Sequence, residues 1–342
     1  MIPEPAPLSD GEVGWGILAT GGIAGLFTRD LLRHGHRVSA VGSRSLGRAQ
    51  EFASEHGIEV AHSSYEALVA DDSVDVVYVA TPHNLHAAHA LLALEAGKHV
   101  LVEKAFTLNA AQAATVVDQA ARRGLLVMEA MWTRFLPHMA FVHDVIEDGL
   151  LGEIRSLHAD HSQHLPTDPA HRLNDHAVGG GALLDLGVYP VSFAHDVLGR
   201  PHEVQAMATM TGTGVDASVA TLMRHADDAV STTYSTMRTR GPNTATVLGT
   251  EGRLDLDATW YAPTTVTLKR PDGAVAERYT SRVSGRGMQY QAREVERLLS
   301  TGRTVSSVMP PAASVEVMQT LDMVRHAIGL SYPDEADGGP DR

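Results

Sequence analysis

Segments with strand-like and helix-like patterns alternate along residues 14–130, and this order constrains the fold more than any other feature. The apolar run GWGILA at 14–19 stops at glycines, and a helical pattern follows at 23–34. VDVVYVATP at 74–82 is β-branched and lacks polar alternation, which is typical of a strand buried on both faces of a parallel sheet. Such an order requires right-handed crossovers between the strands, so it predicts a doubly wound α/β sheet.

The pattern changes in the rest of the chain. One more helix is predicted at 136–149, and the alternating segment GEIRSLHADHSQH at 152–164 predicts a strand. Several strand-like pieces with turn residues between them occupy 203–280, and helical patterns return after them. Strands flanked by helices predict an α+β second domain with a mostly antiparallel sheet. We expect a first domain at 1–131, a second at 132–333 and a polar, disordered tail at 334–342.

Composition excludes several classes of protein. Of the 342 residues, 44% are hydrophobic and 20% charged, as in an ordinary globular protein. The net charge of −14 argues against a nucleic-acid binder, which needs a basic surface. The N-terminal MIPEPAPLSD lacks the regions of a signal peptide, no apolar run reaches the ~18 residues of a membrane span, and cysteine is absent. We expect a cytoplasmic protein that binds neither nucleic acid nor membrane.

The first strand-to-helix turn carries a glycine pattern. ATGGIA at 19–24 matches the dinucleotide fingerprint G-x-G-x-x-G/A, except that Ala19 replaces the first glycine. Gly21 lets the backbone approach a pyrophosphate, whose charge is stabilised by the N–H groups and dipole of the helix N-terminus. A glycine pair also occurs in ordinary turns, but its place in the alternating pattern favours nucleotide binding. The candidate cofactor contacts are Thr20, Gly21, Gly22 and Ile23.

The end of the second predicted strand indicates which nucleotide is bound. NAD enzymes usually place an acidic residue about 20 residues after the glycines, on the ribose hydroxyls. This chain has Ser43 and Arg44 there, so no carboxylate repels a 2′-phosphate and Arg44 can bind one. The alternative is a surface arginine beside Ser45 as a helix N-cap, and both interpretations can hold together. The pattern favours NADP(H) over NAD(H).

Two further segments follow predicted strands, at the edge where open α/β sheets bind their ligands. In VEKAF, Glu103 and Lys104 end a strand close to where a nicotinamide would lie. A structural Glu–Lys pair is the alternative interpretation. Together with ATPHNLH, this edge supplies the candidate cofactor contacts Thr81, Pro82, Asn84, His86 and Glu103.

GGGALLDLGVYP at 179–190 places three glycines before an acid and a phenol. Asp185 and Tyr189 are four residues apart, the spacing that puts two side chains on one helix face. Gly187 and Pro190 weaken a helix across this segment, so the helix is either kinked or begins later. A packing segment with a buried core tyrosine is the alternative to a functional one.

The histidines of HADHSQH raise the question of a metal site. On a strand, His158, Asp160 and His164 share one face but are spread too far for one tight site. A solvated or interface strand is favoured, and no metal is predicted. Trp132 and Arg134 are expected either to line the cleft or to pack it.

Taken in order, the glycine turn, TPHNLH, EKAFTLNAAQA, EAMWTRFLP and GGGALLDLGVYP resemble the Gfo/Idh/MocA oxidoreductases over about residues 14–200. EGRLDLD and the weaker pattern after it are compatible to about residue 330. EAMWTRFLP and the tyrosine of the last motif look most like the branch of dimeric dihydrodiol dehydrogenases and NADP-dependent D-xylose dehydrogenases. The resemblance implies an N-terminal Rossmann domain for the cofactor. It also implies a C-terminal substrate domain with a large open sheet that forms a homodimer or higher oligomer.

The resemblance also implies functions for single residues. Lys104 matches the lysine of the E-K-P signature, and Asp185 and Tyr189 match the acidic and aromatic positions of D-x-G-x-Y/H. Arg172 resembles an arginine near the cofactor, although a surface arginine is the alternative. The chain departs from the family at Ala105, where proline is usual, and at Ala19.

These residues suggest a mechanism for an alcohol dehydrogenase. A free phenol, with a pKa near 10, is a poor base, but the Lys104 ammonium and the positive nicotinamide would favour the Tyr189 phenolate. Asp185 would orient Lys104 or bind substrate, and the glycines would let the segment pass close to the cofactor. We therefore expect an NADP-dependent oxidoreductase acting on a hydroxyl or carbonyl of a sugar, polyol or cyclic diol. Two alternatives are a catalytically silent sensor of the same fold and an α/β binding protein without a nucleotide.

Overall fold

The chain divides into two compact units, and the computed structural model describes residues 13–335. The first unit comprises the chain up to Thr107, 112–132 and 284–314. The second comprises 108–111, 133–283 and the chain from Val315 onwards. The N-terminal segment MIPEPAPLSD, which lacks the regions of a signal peptide, lies outside the described residues. Residues 336–342 of the predicted tail lie outside them as well.

A parallel sheet forms the centre of the first unit. Its strands are β1 (Gly14–Leu18), β2 (Arg37–Gly42), β3 (Val60–His62), β4 (Val76–Val79), β5 (His99–Glu103) and β6 (Val127–Ala130). The helices of the alternating pattern are α1 (Gly22–Arg33), α2 (Leu46–His56), α3 (Tyr65–Val69), α4 (His86–Glu95) and α5 (Ala110–Arg123). The strand order β3-β2-β1-β4-β5-β6 winds from the middle to both sides. This is the order of a Rossmann sheet, so the predicted doubly wound fold is confirmed.

Aromatic packing fills the core of this unit. The rings of Phe27 and Tyr78 stack with centroids 3.9 Å apart, and Trp15 meets Phe27 edge-on at 5.5 Å. All four residues of β4 are buried, as the lack of polar alternation predicted. The apolar sides of α1 and β4 therefore pack against each other next to the glycine turn, which connects β1 to α1.

A second sheet, of eight strands, forms the centre of the second unit. Its strands are β7 (Ile154–Ser162), β8 (Glu203–Met210), β9 (Asp216–Arg224), β10 (Val230–Thr236), β11 (Ala245–Gly249), β12 (Arg253–Leu256), β13 (Thr265–Lys269) and β14 (Val275–Thr280). The order is β14-β13-β12-β11-β7-β10-β9-β8, and only β7 and β10 pair in parallel. The predicted large, mostly antiparallel sheet is confirmed.

The two faces of this sheet differ. On one face, α6 (Pro137–Glu147) packs against β13 and β14, and α7 (Val188–Leu198) packs against β7 and β10. Other residues of the sheet point away from the core: Met207 and Tyr234 both pair with Ala220 and so lie on one face, which Leu222 shares two residues further along β9. These three apolar side chains are exposed.

The units differ from the predicted domains at several places, since residues 108–111 belong to the second unit and Trp132 to the first. Residues 284–314, which include α8 (Gln289–Ser300), belong to the first unit, whereas the sequence pattern assigned them to the second. Hydrogen bonds explain the difference, because Trp15 Nε1 donates to Glu296 at 2.8 Å and the Asp30 carboxylate accepts from the amides of Arg286 and Met288. Long-range contacts of this kind leave no periodic signal in the sequence.

The end of the described chain is a short 3-10 helix, Pro333–Glu335, which contains the first two residues of the predicted tail. The Glu335 carboxylate accepts from the amide of Tyr332 at 2.7 Å and forms an ion pair with Arg325 of α9 (Pro311–Ile328) at 2.5 Å. Glu335 is thus tied to α9, and the expected disorder of the tail stays a prediction.

Among the described residues, the helical stretch His176–Leu198 is long and apolar enough to cross a membrane by length and composition, although no apolar run of that length was predicted from the sequence. However, 83% of its most apolar window is buried inside the protein. Its apolar side chains pack against the second sheet, as in the core helix of a globular protein.

Candidate active site

The glycine turn of the first unit leaves a helix N-terminus open. Gly21 is the N-cap of α1, and no side chain of the described residues caps this end of the helix. A Cβ at Gly21 or Gly22 would meet nothing within 4 Å, so the turn has free space on its outer side. The first N–H groups of α1 are thus available to an anion, and the turn fits a dinucleotide pyrophosphate.

Ala19 shows why the fingerprint has glycine at its first position. Its φ is +90°, a left-handed conformation that costs an alanine about 1–2 kcal/mol. The Ala19 amide donates to Gly42 O at 3.0 Å, which fixes the turn to the end of β2. Ala24 is fully buried, as expected for close packing of α1 on the sheet. The turn therefore keeps the geometry of the motif despite the missing glycine.

Arg44 comes two residues after the end of β2. This strand pairs with β1, and its last residue, Gly42, lies opposite Leu18. Its side chain is exposed and interacts with the hydroxyl of Tyr65. Burial raises the pKa of Tyr65, and the Arg44 guanidinium opposes this shift. The Tyr65 ring packs edge-on against His89 at 4.7 Å. A cation beside two flat rings is suited to a phosphorylated ribose and its base.

The two serines around Arg44 organise the turn. Ser43 is buried, and its hydroxyl accepts from the amide of Ser45 at 3.3 Å. The Ser45 hydroxyl accepts from Arg48 N at 3.5 Å and caps α2. The alternative interpretation, a helix cap beside Arg44, therefore holds as well, and the Arg44 side chain remains exposed beside this cap.

His86 is sealed inside the first unit. Its Nδ1 lies 2.8 Å from Ala105 O and its Nε2 lies 2.7 Å from Thr81 O, and burial lowers its pKa to about 3. A neutral imidazole donates to only one of these carbonyls. His86 thus joins the loops after β4 and β5, and this geometry favours a structural function over the expected cofactor contact. It also holds Ala105, which replaces the usual proline.

The other residues of this edge are divided between surface and core. Thr81 is buried, and its hydroxyl lies 3.1 Å from His89 Nδ1. Glu103 is buried as well, and its carboxylate accepts a hydrogen bond from the Tyr78 hydroxyl, which favours the structural alternative for Glu103. Lys104, the next residue, is partly exposed at the end of β5. Asn84 lies in the 3-10 helix His83–Leu85, which Pro82 precedes.

In the second unit, the three glycines are explained by a positive φ at the first and by close approaches within the unit at the other two. Gly179 has a φ of +76°. A Cβ at Gly180 would lie 2.7 Å from Leu173 O, and one at Gly181 would lie 2.1 Å from Asp216 Oδ1. The space that the missing side chains of Gly180 and Gly181 leave is therefore filled by backbone carbonyls and a carboxylate, and the approach of this segment to a cofactor stays a prediction.

A π-helix, Leu183–Gly187, follows the glycines and continues into α7. Its hydrogen bonds run from i to i+5, so four residues do not complete a turn and the predicted shared face of Asp185 and Tyr189 is only approximate. Pro190 lies in the first turn of α7, where a proline is tolerated. The predicted kink or late start is thus a π-helical turn, a feature that is frequent at functional sites.

Asp185 is held by Arg172. The two side chains form an ion pair at 3.3 Å, with the guanidinium exposed and the carboxylate largely buried. Arg172 begins the 3-10 helix Arg172–Asn174, just before the glycines. An exposed guanidinium that already faces a carboxylate matches the surface alternative for Arg172 and fixes the position of Asp185.

Tyr189 is buried in a cluster of rings. The imidazole of His161 meets Tyr189 edge-on at 4.9 Å and stacks on Tyr261 at 3.7 Å. His161 Nδ1 lies 3.2 Å from Leu186 O, the carbonyl whose helical donor is missing because Pro190 has no N–H. The carbonyl requires a proton on Nδ1, and Nε2 then accepts from the Gln163 amide at 2.8 Å. A neutral imidazole is thereby fixed against the tyrosine.

The sequence did not indicate this cluster. His161 was one of several histidines in HADHSQH, and its position on the inner face of β7, opposite His158 and Asp160, decides its environment. Tyr261 and Gln163 carry no motif, and the second sheet is needed to bring them to Tyr189. Pro190, four residues after Leu186, is the sequence signal that the Leu186 carbonyl lacks its helical i+4 donor.

The structure also places β7, Trp132 and Arg134. β7 pairs with β10 and β11 on either side, and its outer face carries the exposed His158 on the same face as Tyr234. The expectation of a solvated or interface strand stays a prediction. Arg134 is buried and binds Ser192 and Asp196 of α7, and Trp132 is buried with Arg286 above its ring, so both pack. Within residues 13–335, no three acidic or histidine side chains are grouped for a metal ion.

Comparison with known proteins assigns the chain to a family. Residues 13–131 match the model of an oxidoreductase family with an NAD-binding Rossmann fold, and residues 139–255 match the Gfo/Idh/MocA C-terminal domain. Trans-1,2-dihydrobenzene-1,2-diol dehydrogenase of Bos taurus is 37% identical over 331 residues, which cover 94% of this chain and 98% of the relative. The chain belongs to the Gfo/Idh/MocA oxidoreductase family. The human enzyme of the same name is 36% identical over 330 residues, with the same coverage.

Solved structures agree with this assignment. A 3-ketoreductase from Actinomadura kijaniata, in complex with NADP and TDP-benzene, is 29% identical with a TM-score of 0.80, covering 92% of this chain and 98% of that one. Aldose-aldose oxidoreductase from Caulobacter crescentus shares the fold, with a TM-score of 0.83 at 23% identity over 92% of this chain and 97% of that one. The predicted family, fold class and enzyme class, an NAD(P)-dependent dehydrogenase or reductase, are thus confirmed.

Proposed function

We propose that this Gfo/Idh/MocA protein is a cytoplasmic, NADP-dependent enzyme that oxidises a hydroxyl, or reduces the matching carbonyl, of a cyclic diol, sugar or polyol. The observation that carries the proposal is the pairing of an open α1 N-terminus with an exposed Arg44 on the neighbouring strand. Relatives named dihydrodiol dehydrogenases and a 3-ketoreductase in complex with NADP support the same chemistry.

The residues of the first unit hold the cofactor in this proposal. The N–H groups after Gly21 bind the pyrophosphate, and Arg44 binds the 2′-phosphate. When bound, the nicotinamide donates or accepts the hydride. Thr20, Ile23 and the loop after β4, from Thr81 to Asn84, remain proposed contacts.

Tyr189 of the second unit is the proton-transfer residue in this proposal. The Tyr189 hydroxyl exchanges a proton with the substrate oxygen, and the neutral His161 edge and the Tyr261 ring restrict its motion. Lys104 is proposed as the cation that favours the phenolate, and Asp185 as a group that binds substrate or positions a catalytic neighbour. Substrate recognition is assigned to the second unit.

A panel of cyclic diols, sugars and polyols, followed by NADPH absorbance, tests this proposal. We expect oxidation of at least one class with NADP and loss of that activity in Tyr189→Phe. Tight NADPH binding by calorimetry without turnover of any panel member, in either direction, would favour the silent sensor instead.

A further inference from the structure

The segment that carries Asp185 and Tyr189 is held at its start by two groups from distant parts of the second unit. Asp216 is the first residue of β9, and its Oδ2 accepts from Leu183 N at 2.6 Å. The Tyr332 hydroxyl donates to Gly180 O at 2.6 Å. Both contacts fall between the last glycines and the first turn of the π-helix.

Asp216 acts as a helix cap supplied by another strand. Its carboxylate is completely buried, and amides of Ala182 and Leu183, at the beginning of the helix, are bonded to it. A negative charge at a helix N-terminus is favourable. Its other oxygen, Oδ1, has no hydrogen-bond partner among the described residues and lies where a Cβ of Gly181 would be.

Tyr332 is itself anchored. It is buried, and the Arg325 guanidinium lies 5.4 Å from its ring centroid. Arg325 is buried too and forms ion pairs with Asp322 and Glu335. The hydroxyl that binds Gly180 is therefore fixed by α9 and by the short helix after it.

We propose that Asp216 and Tyr332 are positioning residues of the reaction, which hold the start of the 183–198 helix and thereby the placement of Asp185 and Tyr189. The inference rests on the proposed function of Tyr189. Asp185 and Tyr189 lie two and six residues after Leu183 in one continuous helical segment, so a shift at its start is passed on to both. A misplacement of about 1 Å in an active site can cost 10²-fold in rate.

The strength of the hydrogen bonds from the helix amides to Asp216 depends on the charge of its carboxyl group, and therefore on pH. Burial raises the pKa of Asp216 to about 7, against the opposing effects of its amide hydrogen bonds and of Arg325. The ionised carboxylate is the stronger acceptor for the helix amides, so the hold is tightest above neutral pH. The charged and titratable groups that act on Asp216 are Arg325 and Tyr332, with Asp322 and Glu335 around Arg325.

Two conservative variants test the proposal, Asp216→Asn and Tyr332→Phe, with Asp255→Asn and Tyr279→Phe of the same unit as matched controls. We expect kcat to fall at least ~10-fold in both test variants with an unchanged Kd for NADPH, and the controls to stay at the wild-type value. In Asp216→Asn, the limb of the kcat–pH profile near neutral pH should disappear. A merely structural function would leave that profile unchanged in shape.

Hydrogen exchange supplies a readout that does not need activity. The peptide 179–198 should exchange at least ~10-fold faster in Asp216→Asn than in the wild type, and other peptides of the second unit should not. Normal kcat and pH profile in both variants of an active enzyme would overturn the inference while the proposed function stands. A wild-type protein without turnover would instead contradict the proposed function. In that case, equal exchange of the peptide 179–198 in Asp216→Asn and in the wild type would by itself overturn the inference. If Asp216→Asn does not fold, Tyr332→Phe, which lacks one hydroxyl, decides alone.

Discussion

Arg44 is the side chain on which cofactor selection depends in our proposal. It is exposed at the carboxyl end of β2, beside the Tyr65 hydroxyl, in a turn that Ser43 and Ser45 hold from inside. In Arg44→Ala, NADPH should lose a charged hydrogen bond of about 1.5–3 kcal/mol, so its Kd rises roughly 10- to 100-fold. NADH lacks the 2′-phosphate, and its Kd should change little.

Calorimetric titration of both nucleotides measures this difference. Arg123→Ala, at the C-terminal end of α5, removes an exposed arginine outside the turn and should leave both values unchanged. If wild-type protein binds NADH as tightly as NADPH, Arg44 is an ordinary surface residue.

Tyr189 and Lys104 are expected to act on the same proton transfer. Tyr189→Phe should leave NADPH binding nearly intact and lower turnover by ~10²–10⁴-fold, because the phenol is the acid–base group. Lys104→Ala should do similar damage, and the double variant should be little worse than either single variant, since residues acting together are non-additive. Steady-state kinetics on a verified substrate measure this. Near-normal turnover in Tyr189→Phe would exclude the tyrosine as the base.

The glycine run shows at the level of one element how much of the site the sequence predicts. The motif identified Asp185 and Tyr189 and signalled an unusual backbone. It did not reveal the reason for the glycines, because Asp216 and the carbonyl of Leu173 come from elsewhere in the chain. The same holds for His161, whose hydrogen bond to Leu186 O depends on the pairing of β7. Local patterns predict the elements, whereas contacts between distant segments decide which side chains meet.

Gly181→Ala tests this explanation of the run. The residue has a φ of +123°, and a Cβ would lie 2.1 Å from Asp216 Oδ1, so neither the backbone nor the carboxylate accommodates it. The free energy of unfolding should fall by about 2–4 kcal/mol. Urea denaturation measures it, with Gly212→Ala as the control, since a Cβ at Gly212 meets nothing within 4 Å. Equal stability of the two variants would contradict the close approach.

Across the whole molecule, buried histidines should make stability fall in acid. Burial lowers the pKa of His86 and His195 to about 3 and that of His138 to about 4. Below pH ~6.5 the unfolded chain takes up three protons at these sites that the folded protein does not, so the free energy of unfolding decreases as pH falls. Asp216, with a raised pKa of about 7, opposes this with one proton, because only the folded state keeps it protonated.

At these four groups, the unfolded chain binds a net excess of two protons, which alone lowers the free energy of unfolding by about 2–3 kcal/mol per pH unit between pH 6 and 5. Urea denaturation at a series of pH values measures this slope. His195→Gln should reduce it by about 1.4 kcal/mol per unit, and His326→Gln, an exposed residue of α9, should not. A flat profile between pH 7 and 5 would contradict this excess of protons in the unfolded chain.

The open face of the second sheet leads to the last prediction, a homodimer or larger oligomer. Met207 is 80% exposed and Leu222 is 46% exposed, and Tyr234 lies on the same face. Apolar side chains grouped on an uncovered sheet indicate an interface, and a second copy of the same surface is its simplest partner. Light scattering should give at least twice the 36.5 kDa of one chain at micromolar concentration. Leu222→Glu should shift the mass towards the monomer by placing a charge in the interface, whereas Leu150→Glu, a leucine of nearly the same exposure outside the sheet, should not. A wild-type mass of one chain at all concentrations would leave this face without a partner and exclude the dimer.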